Sequence, residues 1–218
     1  GMVAWALLVW CWYALPETQP PGGALQASAA SSGWIILRDR HIWCSALLVA
    51  GYNIMVFSYF SLAPFMFERL GLSSRQFGYS GIALALGSLL GALVNRHLLA
   101  RAISAERQIL LGSLLACGAA LALGYWQHSI MMLLPCMLIS LAFGLAIPNV
   151  LSQALNRYRQ QLGTAGAIFG LLYYLLIGAG LSLAAVGQNL PATLLVCSLL
   201  CLVCTGCLFA LLSPKAAR

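Results

Sequence analysis

Apolar residues along this chain come in long blocks with short polar breaks between them. An opening block fills residues 2–15, and six longer ones follow at 43–67, 77–100, 108–126, 130–154, 162–187 and 190–212. A helix of about 20 residues rises about 30 Å, enough to cross the hydrocarbon core of a bilayer. The pattern therefore predicts an all-α, polytopic membrane protein with six full transmembrane helices. A membrane β-barrel would instead show short alternating segments. The breaks are short, so successive helices are expected to be antiparallel neighbours.

The opening block, MVAWALLVWCWYAL, is about two-thirds of a span. It lacks the basic residues that precede the apolar core of a secretory signal. It reads as the far end of a truncated transmembrane helix, residues 1–15. Residues 15–33, LPETQPPGGALQASAASSG, are rich in Pro, Gly, Ser and Ala and read as a flexible linker. The expected organisation is thus a helix end at 1–15, a cytoplasmic linker at 16–42, a six-helix membrane domain at 43–212 and a cytoplasmic tail at 213–218.

Composition agrees with the pattern. Hydrophobic residues make up 62% of the chain and charged residues 7%, and the mean hydropathy is +0.93. Soluble domains carry about a quarter charged residues. The net charge of +7 forms no contiguous basic patch, so nucleic acid is not an expected partner. The bilayer is. Arg38, Arg40, Arg96, Arg101, Arg107, Arg157, Arg159, Lys215 and Arg218 flank one set of helix ends, and only Arg69 and Arg75 the other. Nine against two predicts that the linker and C-terminus face the cytoplasm.

Eight cysteines all lie in or beside apolar blocks. Cys201, Cys204 and Cys207 spell C-x-x-C-x-x-C, but cluster ligands normally come from a wrapping loop rather than an unbroken helix. Cys197, Cys201 and Cys204 fall within roughly 60° on a helix, a stripe of small residues for contact with a neighbour. Neither a metal nor a cofactor is expected. No P-loop, zinc-ligand spacing or Ser–His–Asp arrangement is present in the sequence, so no catalytic residue is assigned and an enzyme is not the expected class.

Polar groups inside the blocks carry the functional reading. The third and sixth blocks hold nothing more polar at depth than Ser, Thr and Cys, whose polar groups can bond their own helix and tolerate lipid. The first, fourth and fifth hold amides, phenols and prolines. An unpartnered amide in hydrocarbon costs several kcal/mol, so it should face protein or a wet cavity. Asn53, Phe57, Phe60 and Pro64 project within about 60° of one another, with Ser61 at the border. Such a stripe suits a greasy, partly polar ligand, while Asn53 bonding across a helix contact is an equal alternative. Asn149 and Gln153 follow Pro148, and their coincidence favours a cavity. Phe169 and Tyr173 are four apart and Tyr174 adjoins; the two tyrosines lie too deep for an interfacial aromatic belt, which favours a cavity-facing role. Gly87 with Gly91, and Gly166 with Gly170, make two G-x-x-x-G helix-packing motifs.

The order of motifs supplies a resemblance. A helix ending in LPET, a linker, the run SLAPFMFERLGLSSRQFGYSGIALALGSLLGALVNRHLLAR, then AIPNVLSQAL and GTAGAIFGLLYY together resemble the second half of a major facilitator superfamily transporter. The resemblance is to the drug:proton antiporter group that includes the Bcr/CflA multidrug pumps, and it covers essentially the whole chain. It implies half of a two-part fold in the bacterial inner membrane, exporting a small-molecule substrate against protons through a cavity shared with an absent N-terminal half. The helices matching blocks three and six would be peripheral. Asn53, Phe57, Asn149, Gln153 and Tyr173 become candidate cavity residues. That absent half usually carries the proton-coupling acid, so this chain alone is not expected to transport. A half-size carrier acting as a dimer and a non-transporting membrane scaffold are the competing readings.

Overall fold

The computed structural model describes the backbone of residues 2–14 and 29–212 and the side chains of residues 2–14 and 33–211. The tail and most of the linker, including Glu17, Lys215 and Arg218, lie outside the described residues. Among those described, the fold is all helical: α1 Met2–Ala14, α2 Ala29–Arg38, α3 Arg40–Arg69, α4 Ser74–Ala100, α5 Ala105–Trp126, α6 Leu133–Asn156, α7 Leu162–Gly187 and α8 Leu190–Leu212. Short 3-10 turns lead into α6 and α7. The helices from α3 onward give six elements long and apolar enough to cross a membrane. The short apolar α1 buries no residue.

Local chemistry sets the boundaries. Asp39 accepts from the His41 backbone N–H at 2.8 Å and caps the start of α3. Ser73 and Gln76 form a capping box at the start of α4, with the Ser73 backbone N–H donating to Gln76 Oε1 at 2.7 Å. Gly71, at φ +71°, turns the chain between α3 and α4 where a Cβ would be strained. One expectation is corrected here: residues 29–38 of the linker form a helix. Ile36 of α2 is buried, and Gly33 sits against Ile168 of α7.

Packing is organised around α3 and α6, which touch each other. Helix α6 packs on α4 and α5, while α3 packs on α7 and α8, and α5 meets α8. Exchanging α3 with α6, α4 with α7 and α5 with α8 maps this pattern onto itself. The contacts therefore divide the domain into two three-helix repeats with the same packing pattern, as a pseudo-two-fold relation would produce. With three antiparallel helices in each, the second repeat starts from the opposite end of the bundle and is inverted. Burial follows the arrangement: 67% of the apolar core of α3 is buried but only 22% of that of α4 or α7.

The third and sixth spans, α5 and α8, do more than tolerate lipid. Thr205 donates to Cys201 O at 2.8 Å, which uses its one hydrogen. Ser113 must then donate to Thr205, 2.9 Å away, and Tyr52 of α3 to Ser113, 3.2 Å away. This directed chain of hydroxyls, closed off from the surface, ties three helices together. Cys197, Cys201 and Cys204 are buried, with Cys201 Sγ against Leu48 O and Gly51 of α3.

Candidate functional site

The most deeply packed helix leaves one stripe open. On α3, Phe57 and Phe60 are each 45% exposed, Ser61 is exposed and Asn53 partly so. Their polar groups are satisfied locally. Asn53 donates to Val49 O at 2.7 Å and Ser61 to Phe57 O at 3.1 Å. The first bond takes only one of the two N–H groups of the amide. Asn53 is thus bonded to its own helix rather than across a helix contact.

On α7 the aromatic residues run outward from the core. Phe169 is buried and meets Tyr173 edge-on at 5.4 Å between ring centres. Tyr173 is partly exposed, and its ring lies 4.6 Å from that of Tyr174, which is 66% exposed. A well-anchored ring thereby supports two that reach the surface.

The expectations for α6 give way. Asn149 is only 4% exposed. Its amide nitrogen donates to Asn95 Oδ1 of α4 at 2.8 Å and to Leu145 O at 2.9 Å. It is an interhelical tie and does not look onto an open face. Gln153, one turn further on, donates instead to Glu106 Oε1 of α5 at 2.8 Å. Pro148 is exposed while Asn149 beside it is buried, and α6 runs through both as one helix. Three unusual residues close in sequence thus serve three different surfaces.

The glycines divide in the same way. A Cβ on Gly87 or Gly91 would strike the carbonyl oxygens of Met137 or Leu141 in α6, and one on Gly144 would strike Ser88 O of α4. These two backbones are in direct contact. A Cβ on Gly166 or Gly170 would meet nothing among the described residues, so within this chain the motif of α7 lies on an open face.

Sequence reasoning passed over Asn95, the hydroxyl chain and one polar tie at the arginine-rich end. There Tyr158 donates to Asp39 Oδ2 at 2.6 Å, pinning the α6–α7 connection to the start of α3. Burial first, and then Asp39, push the Tyr158 phenol above its ordinary value, with Arg157 opposing. A signal existed for Asn95, an amide four residues after Gly91 in an apolar block. Among the described residues, no three His, Cys, Asp or Glu side chains converge as metal ligands. The open stripe offers aromatic faces and an amide, which is binding chemistry rather than bond-making chemistry.

Comparison with known proteins completes this description. The chain is 30% identical over 180 residues to an "Uncharacterized transporter" of Rickettsia bellii (strain RML369-C), covering 76% of this chain and 45% of that one. It is 28% identical over 159 residues to an "Uncharacterized transporter" of Rickettsia felis (strain ATCC VR-1525 / URRWXCal2), covering 66% and 39%. It therefore spans less than half the length of these curated relatives. The family model described as Major Facilitator Superfamily matches residues 1–181. With six membrane-length helices in two inverted repeats, and that match over most of its length, the chain belongs to the Major Facilitator Superfamily.

Proposed function

We propose that this chain is one half of a secondary active transporter, and that Asn53, Phe57, Phe60 and Ser61 of α3, with Tyr173 and Tyr174 of α7, face the transported molecule. The observation that carries this is the open stripe on α3. The helix most enclosed by its neighbours keeps exposed the face that bears its amide and two phenyl rings. Lipid needs no amide there, whereas an amphipathic ligand uses both kinds of contact. The relatives, each more than twice as long as the region they share with this chain, supply a precedent for a completing half. Phe169 acts as the buried support for the tyrosines.

The resemblance to drug:proton antiporters favours proton-coupled efflux of small amphipathic compounds. The coupling acid is then expected in the completing half: Asn53, Phe57, Phe60 and Ser61 include no carboxylate, and Glu68, exposed on the same face, lies in the last turn of α3. The nine-to-two distribution of basic residues favours a cytoplasmic C-terminus, and the bacterial inner membrane is the expected location. The test is aqueous labelling of cysteines placed at positions 53, 57 and 173, in protein expressed from its own locus, with Cys11 and Cys207 replaced by Ser. A membrane-impermeant maleimide should reach all three and leave a cysteine at position 149 unmodified. Protection of all three from both sides of the membrane would overturn the assignment.

A further inference from the structure

A hollow at the arginine-rich end is lined by none of the residues of the open stripe. It has a volume of about 580 Å³, within the range of small-molecule sites. Ile35 and Ile36 of α2 form one wall, and residues 156–161, which join α6 to α7, form the other. The charged residues lining it are Arg157 and Arg159. We propose that this groove binds the phosphodiester headgroup of an anionic phospholipid.

The charges are available for a ligand. Asp39, which is tied to this turn through Tyr158, is engaged on both oxygens, by the His41 backbone N–H and the Tyr158 hydroxyl. Glu106 accepts from Gln153. Arg159 uses its Nε to bind Asn156 Oδ1 at 2.7 Å, which leaves its two terminal NH2 groups for an anion. Arg157 is exposed. Asn156, Gln160 and Gln161 add neutral donors along the same wall.

The other wall selects a lipid over a soluble phosphate. Ile35, which lines the groove, and Trp34, next to it in the chain, are both exposed, and the Arg38 guanidinium lies 5.4 Å over the Trp34 ring. Trp beside Arg just ahead of a span, here α3, is the pattern of the membrane–water interface. The buried Ile36 and the contact between Gly33 and Ile168 hold α2 against the bundle. A phosphate between Arg157 and Arg159 would leave its acyl chains along the apolar surface of α2. Basic pockets between helices at a membrane surface recognise anionic headgroups by this combination.

The experiment is native mass spectrometry of the full chain released from nanodiscs of mixed phosphatidylglycerol and phosphatidylcholine. Phosphatidylglycerol should be retained in preference. Its retention should fall about fivefold for Arg157→Gln or Arg159→Gln, and roughly 25-fold for the pair. The pair Arg69→Gln and Arg75→Gln, at the opposite end, should leave retention unchanged. Replacing Arg157 and Arg159 by Lys should preserve most of it, which also reports that the turn still folds. Equal retention of phosphatidylcholine, equal loss in the opposite-end pair, or full loss in the lysine pair would overturn the proposal. Complete displacement of the lipid by millimolar inorganic phosphate would overturn it too, and make the groove a site for a soluble anion.

Discussion

Asn149 Nδ2 donates to Asn95 Oδ1 across 2.8 Å, at the contact between α6 and α4, with both side chains buried. The two ends of this bond are not equivalent. Asn149 also donates to Leu145 O of its own helix, so it keeps a partner when Asn95 is removed. The Asn95 oxygen loses this donor when Asn149 is removed. Asn149→Leu should therefore destabilise more than Asn95→Leu, and the double variant should cost less than the sum. Interhelical bonds of this kind couple by about 0.6 kcal/mol and at most about 1.7. Reversible unfolding in detergent measures the cycle, and strict additivity would show that the bond contributes nothing.

The glycine contacts predict a contrast within one residue type. Gly91→Ala would drive a methyl into the Leu141 carbonyl, and a helix backbone cannot move aside as a flexible side chain can. Overpacking of this kind costs about 1–3 kcal/mol. Gly166→Ala and Gly170→Ala face open space. They should be neutral or stabilise by up to about 1 kcal/mol through helix propensity. Thermal midpoints of the three variants in one detergent decide the matter, and equal losses at all three would contradict the packing described.

That contrast marks how far the sequence could be read. Span number, length and the charged ends were legible because hydrocarbon thickness fixes them, and the six helices start and stop within a few residues of the apolar blocks. The open stripe of α3 was legible as well, since four residues at helical spacing define one face whatever surrounds it. Which neighbour a face meets is not encoded in spacing. Asn149 and Gln153 lie one turn apart, yet one reaches α4 and the other α5, because α6 is wedged between both. The same limit hid the difference between two identical G-x-x-x-G spacings. It also hid the inverted repeat, which exists in the contacts and not in any shared motif.

Alkaline pH should test the tie between α3 and the α6–α7 connection. An unfolded tyrosine ionises at about pH 10. Burial, reinforced by Asp39, holds the folded Tyr158 neutral beyond that value, against the influence of Arg157. Above pH 10 the folded state therefore binds more protons than the unfolded one. The contribution is fully present below that pH and is lost as pH rises through the folded value. Tyr158→Phe removes this dependence together with the hydrogen bond. Helicity followed between about pH 9 and 12 should fall less steeply in Tyr158→Phe than in the unsubstituted chain. Parallel curves would mean that the phenol does not titrate with unfolding.

The hydroxyl chain through Tyr52, Ser113 and Thr205 makes a prediction of order. Each group has one hydrogen, and the direction is fixed by Thr205 bonding Cys201 O. Tyr52→Phe deletes the first donor and leaves Ser113 still donating to Thr205, so no hydrogen is stranded. Ser113→Ala removes the acceptor of Tyr52 and strands a hydroxyl that is shut off from water and lipid alike. Stranding a buried donor costs about 1–3 kcal/mol, whereas losing a satisfied bond with both ends accommodated costs about 0.5–1.5. Unfolding free energies should therefore rank Ser113→Ala below Tyr52→Phe. The double variant should be no less stable than Ser113→Ala alone, because it removes the stranded group. The reverse order would require the chain to run from Thr205 toward Tyr52, and would displace Cys201 O as its terminus.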